Sequence, residues 1–257
     1  MIRFSDVTFA YSGSTPVFQN FDWQVERGER WSVLGPSGCG KSTLLFLLAG
    51  LQMPMGGQIL IAGRNQTGPR PQTGLILQDY GLLPWATARK NVKLGLDVRR
   101  FYGPDGKHTP QDFDIDLHEE RVDIWIDRLG LSPHCDKYPA QLSGGQRQRV
   151  AIARTMALKP DLLLMDEPFS SLDAPTRADL QDQTFELSEE QALTLVIVTH
   201  SIEEAAVMGE KILLLSQPPN HQRIVILNPQ AGEQNFRETA TYFELCRRLR
   251  REMEPMP

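Results

Sequence analysis

The run "RWSVLGPSGCGKSTLLFLLAGL" at residues 30–51 constrains this chain more than any other segment. It opens on a short apolar stretch and turns through Gly35, Gly38 and Gly40. It closes on a helical stretch, "KSTLLFLLAGL", that is apolar nearly all round and therefore expected to be buried. A strand feeding a buried helix through a glycine-rich turn belongs to a layered α/β sheet. Within it, "GPSGCGKS" fits the pattern G-x-x-x-x-G-K-S/T. The glycines of such a loop let backbone N–H groups curl around phosphate oxygens, and the following helix adds its dipole. Lys41 would reach the β- and γ-phosphates of a nucleotide, and Ser42 would hold Mg²⁺. Cys39 is expected to act through its backbone. Its thiol, so close to phosphate, is expected to alkylate more slowly when nucleotide is bound.

The rest of the chain extends this pattern. "FDWQV" alternates Phe21, Trp23 and Val25, and residues 1–34 read as strands. "TGLILQ", "PDLLLMD", "LTLVIVTH" and "KILLLS" are continuous apolar runs, as in strands covered on both faces. Between Pro84 and Lys159 the period turns helical, with Val122, Trp125, Ile126 and Leu129 on one face. "FYGPDGKHTPQDFDID" at 101–116 reads as a surface loop. Tyr242, Leu245, Cys246, Leu249 and Met253 mark a C-terminal amphipathic helix. Its "RRLRRE" suits a solvated helix C-terminus better than a lipid-binding patch. The expected fold class is α/β, a core interrupted by a helical insertion.

Composition narrows the function. Forty per cent hydrophobic content supports a real core, and a net charge of −5 argues against a sequence-independent grip on nucleic acid. Three cysteines at unrelated spacings suggest neither a disulfide framework nor a zinc site and fit a reducing compartment. "MIRFSDVTF" lacks the basic and apolar regions of a signal peptide, and "LLFLLAGL" is far short of a membrane span. The chain is expected to be soluble and cytoplasmic, with any membrane role exerted through a partner.

Ligands of open α/β sheets sit beyond the carboxyl ends of the strands. Gly35, Gln78, Asp166 with Glu167, and His200 all fall at such ends. Phosphoryl transfer needs neutralised charge and an oriented water. Asp166 would therefore share Mg²⁺ with Ser42, and Glu167 would act as general base on the attacking water. Gln78 could contact both Mg²⁺ and the water. His200 could hydrogen-bond the γ-phosphate and Glu167. Each of these residues also has a structural explanation, as a turn cap or an ordinary strand end; their convergence on one edge favours a reaction centre.

"LSGGQ" at 142–146 can be a capping box, Ser143 with Gln146, opening the helix "QRQRVAIARTMAL". That leaves Gly144 and Gly145 unexplained, since a helical glycine costs about 1 kcal/mol against alanine. Bare backbone at a helix N-terminus suits a second anion grip.

Together, "GPSGCGKST", Gln78, "LSGGQ", "LLLMDEP", "SSLD" and His200, in this order, resemble the nucleotide-binding subunit of an ABC transporter. The resemblance covers nearly the whole chain. It implies a P-loop NTPase core with a mainly parallel sheet and an N-terminal antiparallel β-subdomain at 1–84 and 160–230. An inserted α-helical subdomain at 85–159 would carry LSGGQ, and a C-terminal helix and tail would occupy 231–257. ATP would lie along Gly35, Pro36, Ser37, Gly38, Cys39, Gly40, Lys41, Ser42 and Thr43, with Tyr11 stacked on adenine. Two copies, or one copy and a related subunit, would pair head to tail. Ser143, Gly144, Gly145 and Gln146 would then serve the partner's nucleotide, and Asp173 would lie along the seam.

The resemblance also implies transmembrane permease subunits, gripping near Leu82, Leu83, Pro84 and Trp85, and indirectly a solute-binding protein. The location would be the cytoplasmic face of the cell membrane, held peripherally. "LLPW…NV" with "VTHSIEEAAVMGEKILLLSQPP" is most similar to importers of the nitrate, sulfonate and taurine group. "ATARKNV" and the acidic loop at 104–116 depart from that group. The tail after about residue 230 looks too short for a regulatory domain. A related ATPase acting on nucleic acid or ribosomes is the alternative, disfavoured by the acidic charge and the lack of a coiled-coil insertion. A simple P-loop kinase or switch would have no use for LSGGQ or Asp173.

Overall fold

The computed structural model describes residues 1–111, 118–221 and 224–254. The chain divides into two compact units, one of Met1–Pro69, Leu164–Glu167 and Gln181–Pro257, the other of Arg70–Leu163 and Pro168–Leu180. The part of the 101–116 loop beyond residue 111 lies outside the described residues.

In the first unit, β1 (Ile2–Phe9), β2 (Phe18–Val25), β3 (Arg30–Leu34), β4 (Gly56–Ile61) and β5 (Arg64–Asn65) precede the crossover to the second unit. A four-stranded antiparallel sheet has the order β2-β1-β4-β5. Its alternation is the one the sequence shows: Phe21, Trp23 and Val25 all turn inward with at most 1% exposure. Phe4 meets Phe21 edge-on at 6.2 Å and Trp23 at 5.8 Å, geometries that add to the area the rings bury.

The second sheet adds β6 (Thr73–Ile76), β7 (Leu162–Asp166), β8 (Thr194–Thr199), β9 (Lys211–Leu214) and β10 (Ile224–Leu227), in the order β10-β9-β3-β8-β7-β6. β3 pairs in parallel with both β8 and β9, and β10 closes one edge antiparallel to β9. Every residue of β3, β7 and β8 is buried, which explains the long apolar runs of β7 and β8; β3 buries Arg30 and Ser32 as well.

Helix α1 (Lys41–Ala49) follows β3 and stops at Gly50, whose left-handed backbone caps it. The helix is therefore shorter than its apolar run; Leu51 is exposed beyond it. The last helix, numbered α7 in chain order (Ala240–Met253), lays Leu245, Cys246 and Leu249 on a cluster with Ala205, Ile212, Leu214 and Phe236. Its arginines face carboxylates: Arg250 reaches Glu203 at 2.8 Å and Arg247 reaches Glu244 at 3.0 Å.

The second unit is mainly helical. α2 (Ala88–Tyr102), α3 (His118–Arg128) and α4 (Gly144–Met156) pack together, and α5 (Ala174–Glu190) begins in this unit. Val122, Trp125, Ile126 and Leu129 form the buried face that their spacing requires. α6 (Ile202–Met208) belongs to the first unit, where it packs against β3 and α7.

Candidate active site

The first unit brings most of the expected residues to one sheet edge. β3 ends at Leu34, and the loop from Gly35 leads into α1. Gly40 has φ +106°, and a Cβ there would stand 2.5 Å from Val17 Cγ1, so the loop closes on the Val17 side chain in a way only glycine allows. The Lys41 ammonium is buried and donates to the carbonyls of Gly35, at 2.8 Å, and Pro36, at 3.0 Å. Tyr11 shares a hydrogen bond of 3.2 Å with Thr43 and meets Phe9 edge-on, which ties it to the start of α1 while leaving it 43% exposed.

Asp166 ends β7 as a buried carboxylate hydrogen-bonded to the Ser42 hydroxyl. Burial pushes its carboxyl above the usual range; the Ser42 bond opposes this, Glu167 adds to it, and Lys41 opposes it. Glu167 follows with φ +45°, a left-handed backbone that non-glycine residues seldom adopt, and its N–H donates to Val198 O at 2.9 Å. That turn re-aims the side chain off the strand. Its Oε1 lies 2.9 Å from Nδ1 of His200, the residue just past β8. Strain of this kind gathers at functional sites.

Cys39 differs from expectation. Its side chain is fully buried, and burial raises its thiol pKa. Alkylation requires an accessible thiolate, so this burial leaves the thiol poorly placed to react, and protection by ATP is to be read against a slow basal rate.

The second unit carries the remaining candidates. Gln78 is exposed, two residues past the end of β6. Ser143 caps α4 as the sequence suggests: its hydroxyl accepts from the Gln146 N–H at 3.2 Å, and Gln146 Oε1 accepts from the Ser143 N–H at 3.0 Å. Gly145 has a packing reason as well, since a Cβ there would stand 2.5 Å from Thr176 Cγ2. Asp173 caps α5, accepting from the Thr176 N–H at 3.3 Å and hydroxyl at 3.1 Å. That hydroxyl holds its carboxyl below the usual range.

Sequence reasoning missed the fastening around these residues. Arg154 of α4 donates to the carbonyls of Tyr80 and Gly81, each at 2.7 Å, and the Tyr80 hydroxyl meets Ser171 at 2.7 Å. The segment after Gln78, the LSGGQ helix and the segment before Asp173 are thus wired to one another. Next to them, buried Asn91 holds residues 83–87, accepting from the Leu83 N–H at 2.8 Å and donating to three carbonyls. The loop it shapes leaves Trp85 74% exposed, so Trp85 is not part of the core. Arg154, Tyr80 and Ser171 are joined across 73 to 91 residues, so no local pattern could have announced them.

A glycine-rich phosphate loop between a buried strand and helix, with a carboxylate pair at the end of the buried strand β7, defines a P-loop nucleotide-binding cassette. The family described as "ABC transporter" matches residues 18–170. Relatives include the bicarbonate transport ATP-binding protein CmpC of Synechococcus elongatus, 40% identical over 214 residues (82% of this chain, 31% of CmpC). The nitrate import ATP-binding protein NrtC of the same organism is 41% identical over 229 residues (88% and 33%). The aliphatic sulfonates import ATP-binding protein SsuB of Bacillus cereus is 37% identical over 217 residues (84% and 80%). Among solved structures, cbiO1 of Clostridium perfringens, part of the ABC transporter complex cbiONQ, matches with TM-score 0.74 at 25% identity (99% of this chain, 98% of that one). The ATP-binding cassette MJ0796, in a dimeric post-hydrolysis state bound to ADP and Pi, matches with TM-score 0.72 at 30% identity (87% and 98%). This chain belongs to the ABC transporter family and has the fold of its ATP-binding cassettes. It spans about a third of the length of CmpC and NrtC.

Proposed function

We propose that the chain binds and hydrolyses ATP as the motor subunit of an importer for a small solute, a nitrate-, bicarbonate- or sulfonate-like anion. The observation that carries this is the meeting of Glu167 and His200 at 2.9 Å in the unit that also holds the phosphate loop. A carboxylate braced by an imidazole is suited to take a proton from an attacking water. Lys41 supplies positive charge to the phosphates, and Tyr11 offers its ring to adenine.

The Ser42 hydroxyl and the Asp166 carboxylate, already hydrogen-bonded to each other, are the hard oxygen donors Mg²⁺ prefers, and few protein ligands suffice for it. When bound, Mg²⁺ neutralises phosphate charge. Gln78 keeps the role of metal and water contact expected from the sequence.

A second copy or a related cassette pairs head to tail with this one, each LSGGQ facing the other's nucleotide. Closure on ATP and opening after hydrolysis move the permease, since only a difference in affinity between two states can drive a partner. Trp85 and its neighbours form the proposed permease contact, and a solute-binding protein acts upstream. No helix among the described residues is long and apolar enough to cross a membrane. In this reading the permease holds the chain at the cytoplasmic face.

Purification of the tagged chain from its native membrane tests the assignment. Recovery with a polytopic membrane protein is expected. Recovery dominated by RNA or DNA would favour the alternative, a related ATPase working on nucleic acid or ribosomes.

A further inference from the structure

Asn220 sits in the loop of residues 215–221 between β9 and β10 and is 1% exposed. Its amide group is fully engaged. Nδ2 donates to the carbonyl of Cys39 at 2.8 Å and to that of Val17 at 3.2 Å. Oδ1 accepts from the Ser216 N–H at 3.0 Å. Its backbone N–H donates to Val17 O, and its carbonyl accepts from the Gln19 N–H, both at 3.0 Å. Two carbonyls on one side and an N–H on the other permit one orientation of the amide.

We propose that Asn220 is a positioning residue of the phosphate loop, holding the Cys39 carbonyl so that the Gly40 N–H is presented to the phosphates of ATP. The inference rests on the assignment of this loop to ATP. A trans peptide is planar, with its C=O and N–H pointing in opposite directions. Anchoring the Cys39 oxygen to Asn220 therefore aims the Gly40 N–H away from Asn220. The anchor matters because Gly40 is glycine. With φ at +106° and no Cβ, its backbone turns easily, and nothing in "SGCGK" itself prevents the Cys39–Gly40 plane from rotating. A rotated plane would set a carbonyl oxygen against a phosphate oxygen. Asn220 also bonds Val17, the residue on which Gly40 closes, so one buried side chain ties the loop to its floor. Donors fixed in advance bind an anion without reorganisation.

The test uses the full chain and two variants, Asn220→Ala and Asn220→Asp. The aspartate keeps an acceptor for Ser216 but replaces the donor facing Cys39 with an oxygen. The neutral alanine separates loss of that donor from any effect of charge. Dissociation constants for MgATP and MgADP, and hydrogen exchange of residues 36–41, are measured well below each protein's melting temperature. Both variants are expected to bind MgATP about tenfold more weakly, the aspartate more so, with faster exchange at the loop amides. A purely structural role would lower the melting temperature and leave affinity and loop exchange as in the wild type. Lys41→Ala serves as the control that the assay reports on this loop. Wild-type binding of ATP, shared within twofold by both Asn220 variants, overturns the tether alone. A wild-type chain that binds no ATP overturns the assignment of the loop as well.

Discussion

The carboxylate of Glu167 lies 2.9 Å from Nδ1 of His200, although one residue follows β7 and the other follows β8. The contact exists because β7 and β8 are neighbours in the sheet and because Glu167 takes a left-handed turn that carries its side chain off the strand.

Glu167→Gln should keep ATP affinity and lower the hydrolysis rate by about 10²–10⁴, the worth of a general base. With MgATP it should accumulate a closed dimer, detected by light scattering. His200→Ala should also slow turnover, since it removes the brace on the carboxylate. Turnover of the Glu167→Gln chain at the wild-type rate would remove Glu167 from the base role.

Lys41→Ala should weaken ATP binding, measured by titration calorimetry. Mixed with a Ser143→Arg chain, it should restore one intact composite pocket per heterodimer, visible as recovered nucleotide trapping. If trapping stays absent in the mixture, the head-to-tail arrangement is wrong.

Asp166→Asn should raise the melting temperature of the nucleotide-free chain at neutral pH while hydrolysis falls. Burial holds the Asp166 carboxyl above its ordinary range, so the folded chain binds this proton more readily than the unfolded chain does. A raised carboxyl pKa costs stability in full above the folded value. The cost shrinks as pH falls through that value toward the unfolded one, about 3.9. The gain from Asn should therefore narrow on acidification, as melting curves taken across pH would show. A constant gap would leave burial of the charge without a part in stability.

Trp85→Ala should change stability by no more than about 0.5 kcal/mol, because the side chain is 74% exposed. Its basal ATPase rate should match the wild type, and its recovery with the membrane partner should fall. Equal recovery of both chains would place the permease contact elsewhere.

Much of this was legible beforehand because it depends on local order. Two of the continuous apolar runs became the fully buried strands β7 and β8, since a strand covered on both faces has no polar side to show. The phosphate loop and the capping box of α4 are contiguous, and their hydrogen bonds close within a few residues. The burial of Cys39 was not legible, for the opposite reason. Whether a thiol beside a phosphate loop faces ligand or core depends on residues distant in sequence, and here it faces the core. The sequence offers Gly145 as bare backbone for an anion; Thr176, thirty-one residues on, gives it a packing role too.

The amino-acid order by itself determined the α/β class, the phosphate loop and the candidate carboxylates, because backbone propensity, apolar period and a contiguous loop are short-range properties. Only the tertiary structure decided that His200 braces Glu167, that Arg154 and Tyr80 fasten the segment after Gln78, and that Asn220 holds the carbonyl of Cys39. Those bonds join residues up to 181 positions apart. Their partners are chosen by which strands lie side by side, and side-chain hydrogen bonds of that kind leave no period in the chain.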